Sequence, residues 1–569
     1  MIVQYGRIGP LSASSRGDRL LRPRCLPILS LIPLLCFAQS SSDQPALNEA
    51  DSKQTVSSAP NGFLLLDANI LYRKGDFTKA IAKYKEILQD KPASPDGWAG
   101  LIRSYLKARN VSAAAQSAEQ AIAVVDHPRT RTARAEVLFR QGEIVEAEKE
   151  WVNVINSGYP EARAYLGLAR VRLANSMYRS AAKMIKKAHD FNPDDPEIKG
   201  LWLTTLPLSQ RVEQLKSLLA EETNLDEDQR AKLSSILDSA VEWRRDHGCH
   251  LVSKVNSMET PLVPAIEYHH LRGYRVSVAL NGRQEQLLLD TGASGIVVGR
   301  GVAAEAKITE FIPTRLGGIG GPGWTSGSIG FAESIKIGDM EFRNCPIKVT
   351  DDSSVVHEDG LIGSDVFEKF LVDIDFPDEK LKLSELPKRP GDQERELSLS
   401  SANNHSSQDE QMDENGAQDR YIAPEMQSFT RVYRFGHLLL VATSIGDVPP
   451  KVFVLDSGAV ANLISPSAAE EVTKVHRRKD ILVDGISGRV DNVYMAKKAN
   501  IRFGHLAQQN QDIIGFDTSP QSDRTGIEVS GFLGFQTLGM LDITIDYRDG
   551  LVNFAYDAKK WNAIKHRYH

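Results

Sequence analysis

Two hydrophobic periodicities divide the chain. From Gly62 to about Asn192 apolar residues recur at helical spacing, and the pattern itself repeats. Ala80, Ala114, Ala147 and Ala181 stand 34, 33 and 34 residues apart, and Tyr84, Ala118, Trp151 and Ile185 follow each by four. A period near 34 predicts helix pairs stacked as a solenoid of about four units. Gly75 and Gly142 fall between the two helices of their units, while Pro92, Pro128, Pro160 and Pro193 close successive units. Val212, Leu215, Leu218 and Leu219, then Leu233, Ile236, Leu237 and Val241, keep helical spacing and predict capping helices over 208–245.

Past Cys249 the pattern shortens to β runs punctuated by glycine. Val276 to Leu280, the pair Asn281-Gly282, and Gln286 to Leu289 predict a hairpin. A second β region starts near Phe429, with Leu438 to Ala442, a turn at Gly446-Asp447, and Val452 to Leu455. The two regions read as copies. Gly360-Leu361-Ile362-Gly363 corresponds to Gly531-Phe532-Leu533-Gly534, and Val372, Ile374 and Asp375 to Ile543, Ile545 and Asp546, all at an offset of 171. Between them, residues 391–420 hold eight acids, two arginines and no Val, Ile, Phe, Tyr or Trp, too little apolar surface to order itself, so a solvated linker is expected. Gly531 to Phe535 superficially resembles the carboxylate-binding loop of a PDZ domain, but the matching glycine motif in the other copy argues against that.

Composition is close to that of globular proteins, with 41% hydrophobic and 25% charged residues. Its 569 residues call for two to four domains. A net charge of −6 lacks the basic excess of a nucleic-acid binder. Residues 1–24 carry five arginines against Asp18, and the apolar run Leu26 to Phe37 is too short to span a bilayer. With Cys36 and Ala38 at the −3 and −1 positions, a secretory signal peptide cut near Ala38 is expected, hence an exported protein with no membrane span in its mature chain. Cys249 and Cys345 then remain where pairing is chemically allowed; the expectation is two half-buried thiols on either side of a domain boundary. Two cysteines and no Cys/His cluster give no metal site, no cofactor is implied, and His566 and His569 read as a frayed end.

The candidate chemistry lies at two aspartates, each directly after an apolar strand: Leu289-Asp290-Thr291-Gly292-Ala293 and Leu455-Asp456-Ser457-Gly458-Ala459. An Asp-Ser/Thr-Gly tripeptide arises by chance about once per two thousand positions. Here the only two occupy equivalent places in a duplication, 73 and 78 residues before Gly363 and Gly534.

These motifs resemble the aspartic peptidases of the pepsin and retropepsin superfamily, over residues 266–388 and 428–557, and the helical repeats resemble a tetratricopeptide array. The fold class implied is an all-α tetratricopeptide-like solenoid followed by an all-β bilobal acid-protease fold. The expected partition is signal peptide 1–38, disordered linker 39–61, repeat domain 62–247, linker 248–265, lobe 1 at 266–388, acidic linker 389–427 and lobe 2 at 428–560. The resemblance implies that Asp290 and Asp456 meet across a pseudo-twofold axis as the catalytic pair. Thr291 and Ser457 would brace the loops, and Gly292 and Gly458 allow close backbone approach. Carboxylates about 3 Å apart share one proton, so one activates water while the other donates to the developing oxyanion. Ala293 and Ala459 stand where pepsin-like enzymes usually carry a hydroxyl; without that donor the carboxyl pKa rises, and a mildly acidic to neutral optimum is expected. Val460 replaces a commonly polar residue.

Gly317, Gly318, Gly320, Gly321 and Gly323 around Trp324 suggest a flap over the pair, or alternatively a glycine-rich surface loop. Asp484 to Gly488 is a candidate shorter flap in lobe 2. Gly363 and Gly534 read as packing residues, Asp375 and Asp546 as turn formers. The function expected is an aspartic endopeptidase acting on a protein or peptide, its repeats recruiting a partner or substrate. The alternatives are a catalytically silent peptide-binding module and a scaffold whose repeats carry the main role.

Overall fold

The computed structural model describes residues 2–5, 60–221, 237, 249–267, 269–319, 324–350, 360–390, 418–485, 488–490 and 492–568. The proposed cleavage point near Ala38, the linker 39–59 and residues 391–417 lie outside them. The fold divides into two compact units, one helical and one β-rich.

The helical unit pairs α1 (Pro60–Arg73) with α2 (Phe77–Asp90), α3 (Pro95–Lys107) with α4 (Val111–Val124), α5 (Pro128–Arg140) with α6 (Ile144–Asn156), and α7 (Ala162–Ala174) with α8 (Tyr178–Phe191). Helices α9 (Pro196–Thr205) and α10 (Leu208–Glu221) follow. Ala80, Ala114, Ala147 and Ala181 are all fully buried, as are Tyr84 and Trp151. Gly100 and Gly167, each in the helix that follows, have no room for a Cβ, because the rings of Tyr84 and Trp151 lie against their backbones. The turn within each pair needs one left-handed residue. Gly75 and Gly142 supply it in two units, with φ of 77° and 84°, but Arg109 and Ser176 supply it in the other two at 60° and 55°. Met177, before α8, makes no side-chain cap. Instead the backbone N–H and Oγ of Ser180 donate to the Asp419 carboxylate at 2.9 and 2.7 Å, so the end of the acidic stretch is docked rather than solvated.

In the β unit, lobe 1 contains β2 (His250–Leu251), β3 (Met258–Pro261), β4 (Val263–Glu267), β5 (His270–Leu280), β6 (Arg283–Asp290), β7 (Ile296–Gly299), β8 (Thr309–Gly317), β9 (Trp324–Ile337), β10 (Met340–Thr350), β11 (Gly360–Gly363), β12 (Leu371–Asp375) and β13 (Lys380–Ser384). Residues 248–265, expected as a linker, thus hold strands. Because β2 pairs with β10, with Leu251 opposite Phe342, Cys249 comes beside Cys345 and the two form a disulfide across a separation of 96 residues. The expectation of separate thiols is corrected: a short strand, invisible to periodicity, sets the register.

Lobe 2 contains β14 (Thr430–Arg431), β15 (Tyr433–Phe435), β16 (Leu438–Ile445), β17 (Lys451–Leu455), β18 (Leu463–Ile464), β19 (Val475–Arg478), β20 (Ile481–Gly485), β21 (Gly488–Arg489), β22 (Val493–Phe503), β23 (Leu506–Gly515), β24 (Gly531–Leu533), β25 (Leu541–Asp546) and β26 (Leu551–Tyr556), with the helices α11 (Ser519–Thr525) and α12 (Ala558–Tyr568). His566 therefore lies in a helix, not a frayed end, and Ile564 of that helix is buried. The duplication is visible in the pairing: β11 runs parallel to β6, Gly363 opposite Asp290, as β24 runs parallel to β17, Leu533 opposite Leu455. A six-stranded sheet joins the lobes through β12 and β25, from Leu371 opposite Asp546 to Asp375 opposite Asp542. Asp375 and Asp546 close turns by accepting from the N–H groups of Asp378 and Asp549, both at 3.0 Å. Buried Asp549 accepts from Arg389 and from the Tyr421 N–H, clasping both ends of the segment 391–417. One further strand, β1 (Ile2–Tyr5), lies antiparallel along β20, with Ile2 opposite Asp484 and Tyr5 opposite Ile481.

Candidate active site

Strand β6 ends at Asp290 and β17 ends one residue before Asp456, so each aspartate enters a loop that is held from both sides. Within each loop the carboxylate accepts from its own backbone: Gly292 N–H to Asp290 Oδ1 and Ala459 N–H to Asp456 Oδ1, both at 2.8 Å. Behind each loop passes a glycine. A Cβ on Gly363 would lie 2.5 Å from the Ala293 carbonyl, and one on Gly534 would overlap that of Ala461, which gives both glycines the packing role expected of them.

The loops are locked to each other by crossed hydrogen bonds. Thr291 Oγ1 donates to the Leu455 carbonyl at 2.9 Å and accepts from the Ser457 N–H at 2.9 Å. Ser457 Oγ donates to the Leu289 carbonyl at 2.9 Å and accepts from the Thr291 N–H at 3.1 Å. Each hydroxyl therefore satisfies a buried donor and a buried acceptor of the opposite lobe. This brings the aspartates over the opposite glycines. A Cβ on Gly292 would sit 2.8 Å from the Asp456 carboxyl carbon, and one on Gly458 would overlap the Asp290 carboxyl. The two carboxyls are hydrogen-bonded to one another; burial, and then the Asp290 charge, push Asp456 up to about 7.

The lobes brace their loops differently, in ways the sequence reading missed. In lobe 1, Asp365 accepts from the Gly295 N–H at 2.8 Å and from Ser294 Oγ at 3.1 Å, while Lys348 Nζ donates to the Ser294 carbonyl at 2.9 Å. Burial raises the Asp365 pKa and lowers that of Lys348. In lobe 2, Asn462 accepts from the Gly534 N–H at 2.9 Å and donates to Thr537 Oγ1 at 2.8 Å. His437, in the turn between β15 and β16, hydrogen-bonds to the Gly292 backbone and feels the Asp290 charge; burial, then Lys348, lower its pKa to about 4. A lone histidine in a turn carries no sequence signal of this place.

The glycine-rich segment caps a long hairpin of β8 and β9, paired as far as Gly317 opposite Trp324. Gly320 and Gly321 lie outside the described residues, as does the Trp324 side chain. The hairpin reaches lobe 2: the Gly318 carbonyl accepts from Gln521 Nε2 and Arg524 Nη2, both at 3.4 Å. Gly485 of β20 has no room for a Cβ because the Ile319 carbonyl lies against it, so the β8–β9 hairpin also meets the end of β20. Among the described residues, no group of three or more His, Cys, Asp or Glu is arranged to hold a metal, and no helix is long and apolar enough to cross a membrane.

No curated protein matches the chain. Two family models do: residues 276–366 match one described as aspartyl protease, and residues 71–135 one described as tetratricopeptide repeat. The first match contains Asp290 and its supporting Asp365, the second the helices α2, α3 and α4 of the stack, and the chain thus carries an aspartyl protease domain and tetratricopeptide repeats.

Proposed function

We propose that the chain is an exported aspartic endopeptidase in which Asp290 and Asp456 activate a water for attack on a peptide carbonyl. The observation that carries this reading is the crossed Thr291–Ser457 lock, which holds two hydrogen-bonded carboxyls against the opposite lobe's glycines. The pair shares one proton, favouring Asp456, the more buried member. The ionised carboxylate takes a proton from water as the water oxygen bonds to the peptide carbon. The protonated one donates to the developing oxyanion, and a proton then passes to the leaving nitrogen as the C–N bond breaks.

The chain's own strand β1 supports an extended peptide as the ligand. Ile2–Tyr5, which cleavage near Ala38 would remove, adds to β20 by main-chain pairing that is blind to side-chain identity. The disulfide supports export, since such a bond persists in oxidising compartments. The helical stack would recruit a protein partner or the substrate on its concave face.

Purified protein should cleave an unfolded, casein-like substrate with inhibition by pepstatin, and Asp290→Asn and Asp456→Asn should each abolish cleavage. Cleavage that survives both substitutions ends the reading. N-terminal sequencing of the secreted protein tests export, and capture of a partner by residues 62–247 tests recruitment.

A further inference from the structure

Helix α11 (Ser519–Thr525) of lobe 2 is held firmly in place. Thr518 Oγ1 donates to the Val529 carbonyl at 2.6 Å, and the Val529 N–H donates to Ser522 Oγ at 2.9 Å. These bonds tie the helix to the residues entering β24, the neighbour of the strand that delivers Asp456. From this helix Gln521 points at the lobe 1 flap. The residue is 5% exposed, and its Nε2 faces the Gly318 carbonyl. Turning the amide over would set two oxygens against each other, so its orientation is fixed.

That orientation leaves Gln521 Oε1 buried, and among the described residues it accepts no hydrogen bond. A buried amide oxygen without a donor is uncommon in a folded protein and costs stability. An extended peptide carries N–H groups along both edges. One edge can pair with β20, as Ile2–Tyr5 does, and among the described residues that strand pairs with β20 alone. Ile2 stands opposite Asp484, next to Gly485, against which the Ile319 carbonyl lies, and the preceding residue, Gly318, is the one that Gln521 holds.

We propose that Gln521 is a substrate-binding residue whose Nε2 holds the flap through Gly318 while its Oε1 accepts one main-chain N–H of an extended peptide. The inference rests on the peptidase reading and adds to it a residue that selects peptide backbone rather than any side chain.

The test is Gln521→Met, which keeps length and burial and removes both polar atoms. Relief of the unsatisfied oxygen leaves the melting temperature of the free protein unchanged or higher, while KM for a peptide substrate rises about five- to tenfold, the worth of one hydrogen bond, with kcat within about twofold. A series of substrates with one amide at a time replaced by an ester locates the N–H. One position should weaken binding to the wild-type protein about fivefold and have no effect on the variant. If every ester costs the two proteins equally, or if the variant is less stable with KM unchanged, the Oε1 is filled by water or serves the flap alone and the proposal falls. Absence of cleavage by the wild type instead overturns the peptidase reading, a distinct result.

Discussion

Thr291 and Ser457 exchange hydrogen bonds across the lobe boundary, each hydroxyl donating to a carbonyl of the other lobe and accepting from the other residue's N–H. Four bonds converge on two side chains, both buried, at 2% and 1% exposure. Removing one hydroxyl leaves a buried carbonyl and a buried N–H without partners, and lets the aspartates drift apart.

Thr291→Val preserves shape and deletes that hydroxyl. Misplacement of a catalytic group by about 1 Å costs about 10²-fold in rate, so kcat should fall by that order, and stability should fall by about 1–3 kcal/mol. Thr291→Ser, which restores the donor and acceptor, should recover most of both. Equal kcat in the Val and Ser variants would show that the lock does not position the dyad. Steady-state kinetics with denaturant melts makes the comparison.

Acidity at Asp456 sets a second expectation. Its pKa in the folded protein is raised to about 7 by burial and by Asp290, against about 4 for an unperturbed carboxyl. Between those values the folded state binds a proton that the unfolded state has lost, so stability falls as pH rises through that window. The joining sheet adds to the effect. Asp542, hydrogen-bonded to Asp373 on the paired strand, is also raised to about 7 by burial and by the Asp373 charge, and Asp546, by burial and Asp549, to about 6. The melting temperature should therefore be higher at pH 5 than at pH 8. Asp456→Asn should flatten part of that slope and Asp542→Asn another part. Activity should decline on the alkaline side with an apparent pKa near 7, whereas a pH-rate profile peaking below about pH 3 would contradict a dyad that holds its proton to neutrality.

The Cys249–Cys345 bond closes a loop of about 100 residues that contains Asp290 and its flap. Cross-linking a loop of that size restricts the unfolded chain by about 4–5 kcal/mol in the loop-entropy model. The double substitution Cys249→Ser with Cys345→Ser, or treatment with a reductant, should lower the unfolding midpoint of the β unit and leave that of the helical unit in place. A single shared shift would mean that the two unfold as one.

What the chain displays locally, it displays in the sequence. The 34-residue period is legible because the same small residue is fully buried at the same place in each of four successive helix pairs. The Asp290 and Asp456 loops are legible because the backbone must pass within van der Waals distance of a carboxyl, which demands Gly292 and Gly458. What depends on pairing between distant segments is not legible. The disulfide needs the register of a two-residue strand, and Asp419 caps α8 from 239 residues away. Gln521 lies in a seven-residue helix whose sequence, rich in Ser, Thr and Asp, reads as a loop. Asp365 matters through its position behind Ser294, not through any motif of its own.

The repeat turns give the last test. The left-handed residue between paired helices is Gly75, Arg109, Gly142 and Ser176 in successive units, at φ of 77°, 60°, 84° and 55°. A residue with a Cβ pays roughly 1 kcal/mol or more in this conformation, which glycine adopts freely. Ser176 carries a second cost, because it is fully buried and its Oγ has no hydrogen-bond partner among the described residues. Ser176→Gly removes both, against a smaller loss from the greater freedom of glycine in the unfolded chain. The helical unit should gain about 1 kcal/mol, which for its size is about 2–4 °C in melting temperature. Gly142→Ala, the reverse exchange at the same place in the preceding unit, should lose a similar amount. A stack that responds to both changes with the same sign would mean that contacts around each turn, rather than its backbone conformation, decide the stability of these connections.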